Sequence, residues 1–235
     1  MESLQTYGLL RWIVLSPLIG SAVIALAGNR LPRLLSGALA CLSVGTSFLI
    51  GLAAFARLAS LPEGAALTDS FFRWISVGAL QADIAFVLDR LSAVMVLVVA
   101  GVSTIIHVYS LGYMAHDKSW WRYFSYLNLF VFFMLMLVLA NNYLLLFVGW
   151  EGVGLCSYLL IGFYFHKKSA SDAGNKAFIV NRIGDAGFIL GMLLMFAVIG
   201  SVRFLDVNQA LGSGRFAAET AGFGEPPEQV LIRAS

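Results

Sequence analysis

Long apolar stretches recur along the chain and alternate with short polar connections. A bilayer core of about 30 Å requires about 20 residues of helix, and stretches of this length with few charges indicate membrane spans. The pattern therefore predicts about six transmembrane helices in an all-α polytopic membrane protein. The candidate spans are residues 9–27, 34–55, 91–114, 123–140, 142–165 and 173–200.

The first apolar stretch also allows a second interpretation, as a secretory signal. Ala25, Leu26 and Ala27 resemble a signal-peptide cleavage site, which has small residues at its first and last positions. However, the residues before the stretch include Glu2 and no basic cluster, and further apolar stretches follow. These observations favour a first transmembrane helix.

The longest polar connection, residues 61–90, differs from the others in its pattern. Within FFRWISVGALQADIAFVLDR, apolar and polar residues partly alternate on both sides of Gly78. Such alternation around a turn residue is typical of a β-hairpin. The chain is thus expected to contain two transmembrane helices at 1–60, an outer connection with a short β-hairpin at 61–90, helices three to six at 91–200, and a polar tail at 201–235.

Composition supports the membrane class and excludes several others. Hydrophobic residues make up 60% of the 235 residues and charged residues only 12%, whereas average soluble domains carry about 25% charged residues. The net charge is +2, and no basic cluster or RNA-type aromatic motif occurs, so no nucleic-acid binding is expected. The two cysteines and three histidines are dispersed, and no metal or haem site is predicted.

Lysine and arginine residues orient the predicted bundle. Three connections that alternating helices place on one side are basic, and they contain Arg30 and Arg33, Lys118 and Arg122, and Lys167 and Lys168. In the outer connection, acids outnumber bases, and these acids are Glu63, Asp69, Asp83 and Asp89. Under the positive-inside rule, the basic side is cytoplasmic and the N-terminus lies outside.

A single carboxylate, Glu151, interrupts the otherwise uncharged stretch FVGWEGVGLCSYLLIGFYF. An Asp, Lys or Arg at the centre of a membrane helix costs about 2.5–3.5 kcal/mol on insertion scales, and a glutamate is expected to be similar. A charge with this cost is expected to have a function or a partner.

The sixth span contains further charges, of which Arg182 and Asp185 lie deepest. Because they are three residues apart, they share a helix face and are expected to form a shielded ion pair. Lys176 lies nearer the start of the span, four residues after Asp172. It either pairs with that acid at the interface or belongs to the inner charged group.

Depth places Glu151 and Arg182 together. Each lies about 21 Å along its helix from the short loop joining the two antiparallel spans, at 1.5 Å per residue. The charges then either hold the helices together, or Glu151 exchanges protons under the control of a movable cation. The second interpretation rests on the fact that burial favours a neutral carboxyl and a nearby cation favours the ionised one. The residue types favour the proton pathway.

Four stretches carry a resemblance to a known family: FVLDRLSAVMVLVV, IIHVYSLGYM, WRYFSYLNLFVFFMLMLVLANNYLLLFVGWEGVGLCSYLLIGFYF and NKAFIVNRIGDAGFILG. They closely resemble the subunit L family of bacterial NADH:quinone oxidoreductase, the homologues of chain 5 of respiratory complex I. The resemblance extends over residues 9–200. Related sodium/proton antiporter subunits share the mid-membrane glutamate, whereas KAFIVNRIGD resembles the respiratory subunits.

The resemblance implies that the chain is the first part of an antiporter-like inverted-repeat fold. It also implies a membrane-arm role in proton translocation coupled to electron transfer from NADH to quinone. Glu151 falls on the family's carboxylate of the fifth helix, and Lys176, Arg182 and Asp185 fall on charged positions of the sixth helix. These four residues are the expected site for the proton pathway and its charge pairing.

The resemblance further implies that the chain is a non-redox subunit of the translocase and is not catalytic alone. No cofactor is expected in it, because the family places NAD, flavin, iron–sulfur clusters and quinone in other subunits of the complex. The expected partners are the other membrane subunits of respiratory complex I and the lipid bilayer.

The family's chains are far longer, with a second helical repeat and a lysine on the seventh helix. The chain is therefore expected to be an N-terminal part, either a truncated product or a fragment, in which EQVLIRAS approaches an absent seventh helix. Inverted-repeat transporters bind at the repeat interface, so half of the machinery is expected to be missing. Two other functions remain open: a cation/proton antiporter subunit, and a structural remnant without transport activity.

Overall fold

Six long helices dominate the computed structural model, which describes residues 4–78 and 80–212. All six are long and apolar enough to cross a membrane, which confirms the polytopic all-α class. They are α1 (Leu10–Ala27), α2 (Arg33–Ala59), α3 (Arg90–Tyr113), α4 (Trp120–Leu139), α5 (Tyr143–Ile161) and α6 (Lys168–Ile199). The other described elements are a shorter helix, α7 (Phe204–Gly212), and three strands, β1 (Leu4–Thr6), β2 (Ala66–Val77) and β3 (Leu80–Leu88).

The outer connection forms the predicted hairpin. Strands β2 and β3 are antiparallel, with Leu67 opposite Leu88. The turn between them includes Gly78, whose φ of +55° lies in the left-handed region that glycine adopts without strain. Strand β1 adds a parallel partner to β2, with Leu4 opposite Ala66. The sequence pattern did not predict β1, because three residues are too few to show an alternation.

Helix α4 lies at the centre of the bundle and contacts α1, α2, α3 and α5. Its side chains Val131, Leu135 and Leu139 are buried in the largest apolar cluster. Hydroxyl groups also connect the helices, as Oγ of Ser21 on α1 donates to the carbonyl of Ser125 on α4 at 2.8 Å. Such hydrogen bonds help membrane helices to associate, because lipid supplies no hydrophobic driving force between them.

Small residues allow α5 to approach α4 closely. A Cβ atom at Gly149 would lie 2.8 Å from the backbone nitrogen of Leu137, and one at Gly152 would overlap the ring of Phe133. Cys156, on the same face of α5, is fully buried. These three small residues therefore form the surface through which α5 packs on α4.

Helix α6 lies at the edge of the bundle and packs on α5. A second row of small residues on α6 comprises Gly184, Gly187 and Gly191, and no described atom lies within 4 Å of a Cβ placed at any of them. The helix begins at Lys168 rather than at residue 173. The polar first turns of the helix precede the apolar span that the sequence indicates.

The three basic connections lie at the same end of the bundle, as their alternation along the chain predicts. Nη1 of Arg33 donates to the carbonyl of Ala115 at 2.5 Å, which joins the α1–α2 connection to the α3–α4 connection. Nη2 of Arg122 donates to the carbonyl of Phe163 at 3.1 Å, which joins the start of α4 to the α5–α6 connection. The positive charges are thus gathered at one end.

The sheet lies at the opposite end, where Asp83 connects several elements. Its Oδ2 accepts from Nη2 of Arg203 at 2.6 Å, and its Oδ1 accepts from Nε of Arg73 at 3.3 Å. Its backbone carbonyl accepts from Nδ2 of Asn142 at 2.8 Å. Asn142 also caps α5, because its Oδ1 accepts from the amide of Leu145 at 2.8 Å. The hairpin is therefore fastened to the start of α5 and to the chain after α6.

Helix α7 lies in the segment for which the sequence predicted a polar tail. Phe204 packs edge-on against Tyr143, with ring centroids 4.5 Å apart, and Val207 is buried. The sequence pattern missed this helix because nine residues give too short a pattern to recognise. The segment EQVLIRAS, expected to approach a seventh span, lies outside the described residues.

Candidate functional site

Glu151 on α5 and Arg182 on α6 form an ion pair. Nη1 of Arg182 donates to Oε1 of Glu151 at 2.6 Å. The two helices pack on each other and are joined by the short connection at 162–167, so charged residues within the two spans can meet. The structure brings these two residues together as the sequence indicates, although α5 ends at Ile161, so that Glu151 lies only about 15 Å along its helix from the connection and Arg182 about 21 Å.

Asp185 lies beside this pair but is bound in another way. Its Oδ2 is 3.9 Å from Nε of Arg182, which makes the expected ion pair between the two residues but is too far for a hydrogen bond. Its Oδ1 accepts from Nε1 of Trp150 at 2.8 Å. The Asp185 side chain is 7% exposed, whereas those of Glu151 and Arg182 are 22% and 50% exposed. Arg182 thus stands between two carboxylates and hydrogen-bonds to the less buried one.

Trp150 is a site residue that the sequence analysis did not identify. Its indole ring stacks on Phe188 of α6, with centroids 6.5 Å apart and planes inclined by 12°. Phe188 also stacks on Phe147, one turn before Trp150 on α5, with centroids 5.4 Å apart. A tryptophan reads as apolar in a span, but its N–H needs an acceptor there. The presence of a carboxylate, Asp185, on the neighbouring span was the sequence feature that could have indicated this acceptor.

A cleft of about 200 Å³ opens beside the ion pair. Its lining includes Glu151, Arg182 and Asp185, together with the polar side chains of Ser157 and Asn181. A water molecule occupies about 30 Å³ of liquid, so the cleft has room for several waters with polar partners. A hydrated carboxylate with a cationic partner can bind and release a proton.

Lys176, the fourth residue expected in the site, does not join this group. Its side chain is exposed, and it does not line the cleft beside Glu151. Within the described part of the chain, it forms no ion pair with Asp172 either. It lies six residues before Arg182 on α6, about 9 Å nearer the basic end.

A second polar cluster shares no residue with the cleft and joins α2, α3 and α4. His107 is fully buried, and its imidazole faces the amide of Asn128. Nδ1 of His107 hydrogen-bonds to the carbonyl of Ser103 at 2.7 Å, and Oγ of Ser43 hydrogen-bonds to Oδ1 of Asn128 at 3.1 Å. Within residues 4–78 and 80–212, no three His, Cys, Asp or Glu side chains are grouped as a metal ion would require.

Two solved structures resemble the fold. One is the Mrp complex from a Dietzia species, with a TM-score of 0.71 and 23% identity over 84% of this chain and 20% of that chain. The other is the membrane-bound sulfane sulfur reductase, an archaeal respiratory membrane complex, with a TM-score of 0.69 and 17% identity over 85% of this chain and 39% of that chain. At these identities, the similarity concerns the fold alone.

Sequence comparisons identify closer relatives. The family model for NADH-ubiquinone oxidoreductase (complex I), chain 5 N-terminus, matches residues 74–124, and the one for NADH:quinone oxidoreductase/Mrp antiporter, TM, matches residues 140–224. NADH-quinone oxidoreductase subunit L of Mycobacterium tuberculosis is 44% identical over 216 residues, which cover 89% of this chain and 33% of the relative. The subunit L of Neisseria meningitidis serogroup A is 44% identical over 198 residues, which cover 83% of this chain and 29% of the relative.

The antiporter family model covers the two antiparallel spans that carry the Glu151–Arg182 pair, which places this helical bundle in the class of antiporter-like membrane subunits. Within this class, the chain belongs to the family of NADH:quinone oxidoreductase subunit L. It matches the N-terminal part of that family and spans about a third of the length of the curated relatives it matches.

Proposed function

We propose that the chain acts as part of a membrane-arm subunit that translocates protons in an NADH:quinone oxidoreductase. The observation that carries the proposal is the 2.6 Å contact between Arg182 and Glu151 within a polar cleft of a family member. A carboxylate placed within a membrane helix at such a cost is expected to have a function.

Glu151 is the proton-binding group in this proposal, and Arg182 is its counter-charge. A guanidinium close to a carboxylate favours the ionised form, and its departure favours the protonated form. Movement of Arg182 away from Oε1 of Glu151 would therefore let the carboxylate take a proton from water in the cleft. Asp185 is the second partner that can receive the guanidinium. Lys176, nearer the basic end of α6, is the residue through which we expect protons to approach the cleft.

The driving reaction takes place in other subunits. The resemblance assigns NAD, flavin, iron–sulfur clusters and quinone to them, and the chain itself is expected to serve as a non-redox component. Its partners in this proposal are the other membrane subunits and the lipid bilayer. The proposed location is a bacterial inner membrane, with the basic end of the bundle in the cytoplasm and the N-terminus outside.

A second candidate function is cation/proton antiport. One family model that matches the chain includes Mrp antiporters, and one structure with a similar fold is an Mrp complex. The 44% identity to proteins named NADH-quinone oxidoreductase subunit L favours the respiratory function. The two functions differ in their driving force, since an antiporter moves protons in response to a sodium or other cation gradient without NADH.

The test replaces Glu151 by glutamine in the complete subunit within its complex. Glu151→Gln keeps the side-chain shape but removes the titratable group, so NADH-driven acidification of inverted vesicles is expected to fall while the complex assembles. Glu63→Gln is the matched control, because it makes the same change outside the site. The Glu63 side chain is 95% exposed in the outer connection, and its oxygen lies 3.8 Å from Nη1 of Arg90, which is too long for a hydrogen bond. Electron transfer and proton pumping are measured in the same membranes. Full pumping by an assembled Glu151→Gln complex would overturn the proposal.

A further inference from the structure

Two carboxylates, Glu151 and Asp185, compete for Arg182. Asp185 is its neighbour on the same helix, three residues on, and is the more buried of the two carboxylates. Both features favour an Arg182–Asp185 pair, since residues three apart share a helix face and charges attract more strongly where water is excluded. Nevertheless, Arg182 hydrogen-bonds to Glu151 at 2.6 Å and stays 3.9 Å from Asp185.

Trp150 explains this choice. Its Nε1 donates to Oδ1 of Asp185 at 2.8 Å. The indole N–H is a neutral donor, so it satisfies one oxygen of the buried carboxylate without supplying a counter-charge. Asp185 is therefore held by α5, and Arg182 remains available to Glu151.

An aromatic stack fixes the direction of this N–H. The indole ring and the ring of Phe188 are nearly parallel, with planes inclined by 12°, and Phe188 is also stacked on Phe147. Phe188 lies three residues after Asp185 on α6, so it shares a helix face with the carboxylate. The stack spans both helices and orients the ring whose N–H reaches Asp185.

The geometry points to Trp150 as a positioning residue that determines which of the two carboxylates binds Arg182. This inference rests on the proposed function of Glu151 and names a residue that regulates it. Trp150 and Glu151 are adjacent on α5, so a displacement of α5 against α6 acts on both contacts together. When the indole releases Asp185, the guanidinium moves to Asp185, and Glu151 is left free to accept a proton.

The test replaces Trp150 by phenylalanine in the complete subunit within its complex. Trp150→Phe keeps a ring for stacking on Phe188 and removes the N–H donor. We expect Arg182 to lie within hydrogen-bonding distance of Asp185 in the cryo-EM structure of the variant. A hydrogen bond to a charged group shifts such a partition by about tenfold or more, and we expect NADH-driven proton pumping to fall by about that factor. Trp12→Phe is the control, because this substitution makes the same change outside the site. Trp12 lies on α1 and is 44% exposed.

A second arm separates positioning from a purely structural role. In a subunit that carries Asp185→Asn, Asp185 no longer competes with Glu151 for Arg182. The further change Trp150→Phe is therefore expected to leave pumping as it is with Asp185→Asn alone. An equal loss from Trp150→Phe in both backgrounds would overturn the proposal, as would a variant structure in which Arg182 still binds Glu151. Loss of pumping in Glu151→Gln together with normal pumping in Trp150→Phe would overturn this inference while leaving the proposed function intact.

Discussion

Arg182 lies between two carboxylates, and within residues 4–78 and 80–212 it is the cation that pairs with both of them. We expect Arg182→Ala to reduce incorporation of the complete subunit into its complex, because breaking a fully buried ion pair costs about 3–5 kcal/mol. The loss here should be smaller than that, since the Arg182 side chain is half exposed. Arg182→Lys keeps the charge and should lose less. Incorporation is measured by native gel electrophoresis of solubilised membranes.

The control for this prediction is an arginine whose partner has a second cation. Arg73 contacts Asp83 at the sheet end of the bundle, and Asp83 also binds Arg203 at 2.6 Å. Arg73→Ala should therefore assemble almost normally. Equal assembly of the Arg182→Ala and Arg73→Ala subunits would show that the arginine between α5 and α6 is not needed for packing.

The contact between α4 and α5 depends on Gly149 and Gly152. A third glycine of α5, Gly154, serves as the control in a test of this contact. Gly149→Ala would place a Cβ 2.8 Å from the backbone nitrogen of Leu137, and a backbone atom cannot move aside as a flexible side chain does. Overpacking of this kind costs about 1–3 kcal/mol. Gly154→Ala adds the same methyl group where no described atom lies within 4 Å.

We therefore expect Gly149→Ala to lower the thermal stability of the detergent-solubilised subunit and Gly154→Ala to leave it unchanged or raise it slightly. The second effect follows from the higher helix propensity of alanine, worth up to about 1 kcal/mol. Thermal denaturation followed by circular dichroism measures both variants. Equal melting temperatures for the two would mean that α5 does not approach α4 this closely.

The whole molecule has a basic end and a sheet end, and the difference in charge between them predicts how the protein is oriented in the membrane. Arg33 and Arg122 lie at the basic end, whereas the sheet end contains the acidic connection at 61–90. Under the positive-inside rule, we expect the basic end to face the cytoplasm. In intact spheroplasts, a membrane-impermeant thiol reagent should label Ser76→Cys in the hairpin but not His116→Cys between α3 and α4.

Both positions are exposed, so both cysteines should react after the membrane is permeabilised. Replacement of Cys41 and Cys156 by serine or alanine removes the native thiols from the experiment. Labelling of His116→Cys in intact spheroplasts, with Ser76→Cys protected, would reverse the proposed orientation.

The sequence by itself determined the spans, the hairpin and the depths of the charged residues. A helix in lipid satisfies its own backbone hydrogen bonds, so length and apolarity are enough to identify it. Alternation of six spans then puts the three basic connections at one end, and the constant rise per residue puts Glu151 and Arg182 at similar depths. Gly78 marked the hairpin because the residues on each side of it alternate.

The tertiary structure alone decided how the helices are rotated and which groups meet. Gly149, Gly152 and Cys156 recur on one face of α5 and indicate close packing there, but the sequence does not say that α4 is the helix that packs on this face. Arg182 lies within ion-pair distance of Asp185 as expected, at 3.9 Å, but its hydrogen bond goes to Glu151, and Asp185 accepts one from Trp150 on the neighbouring helix. Strand β1 and helix α7 are likewise too short to be recognised alone. They are formed through contacts with distant residues, and a linear pattern does not contain such contacts.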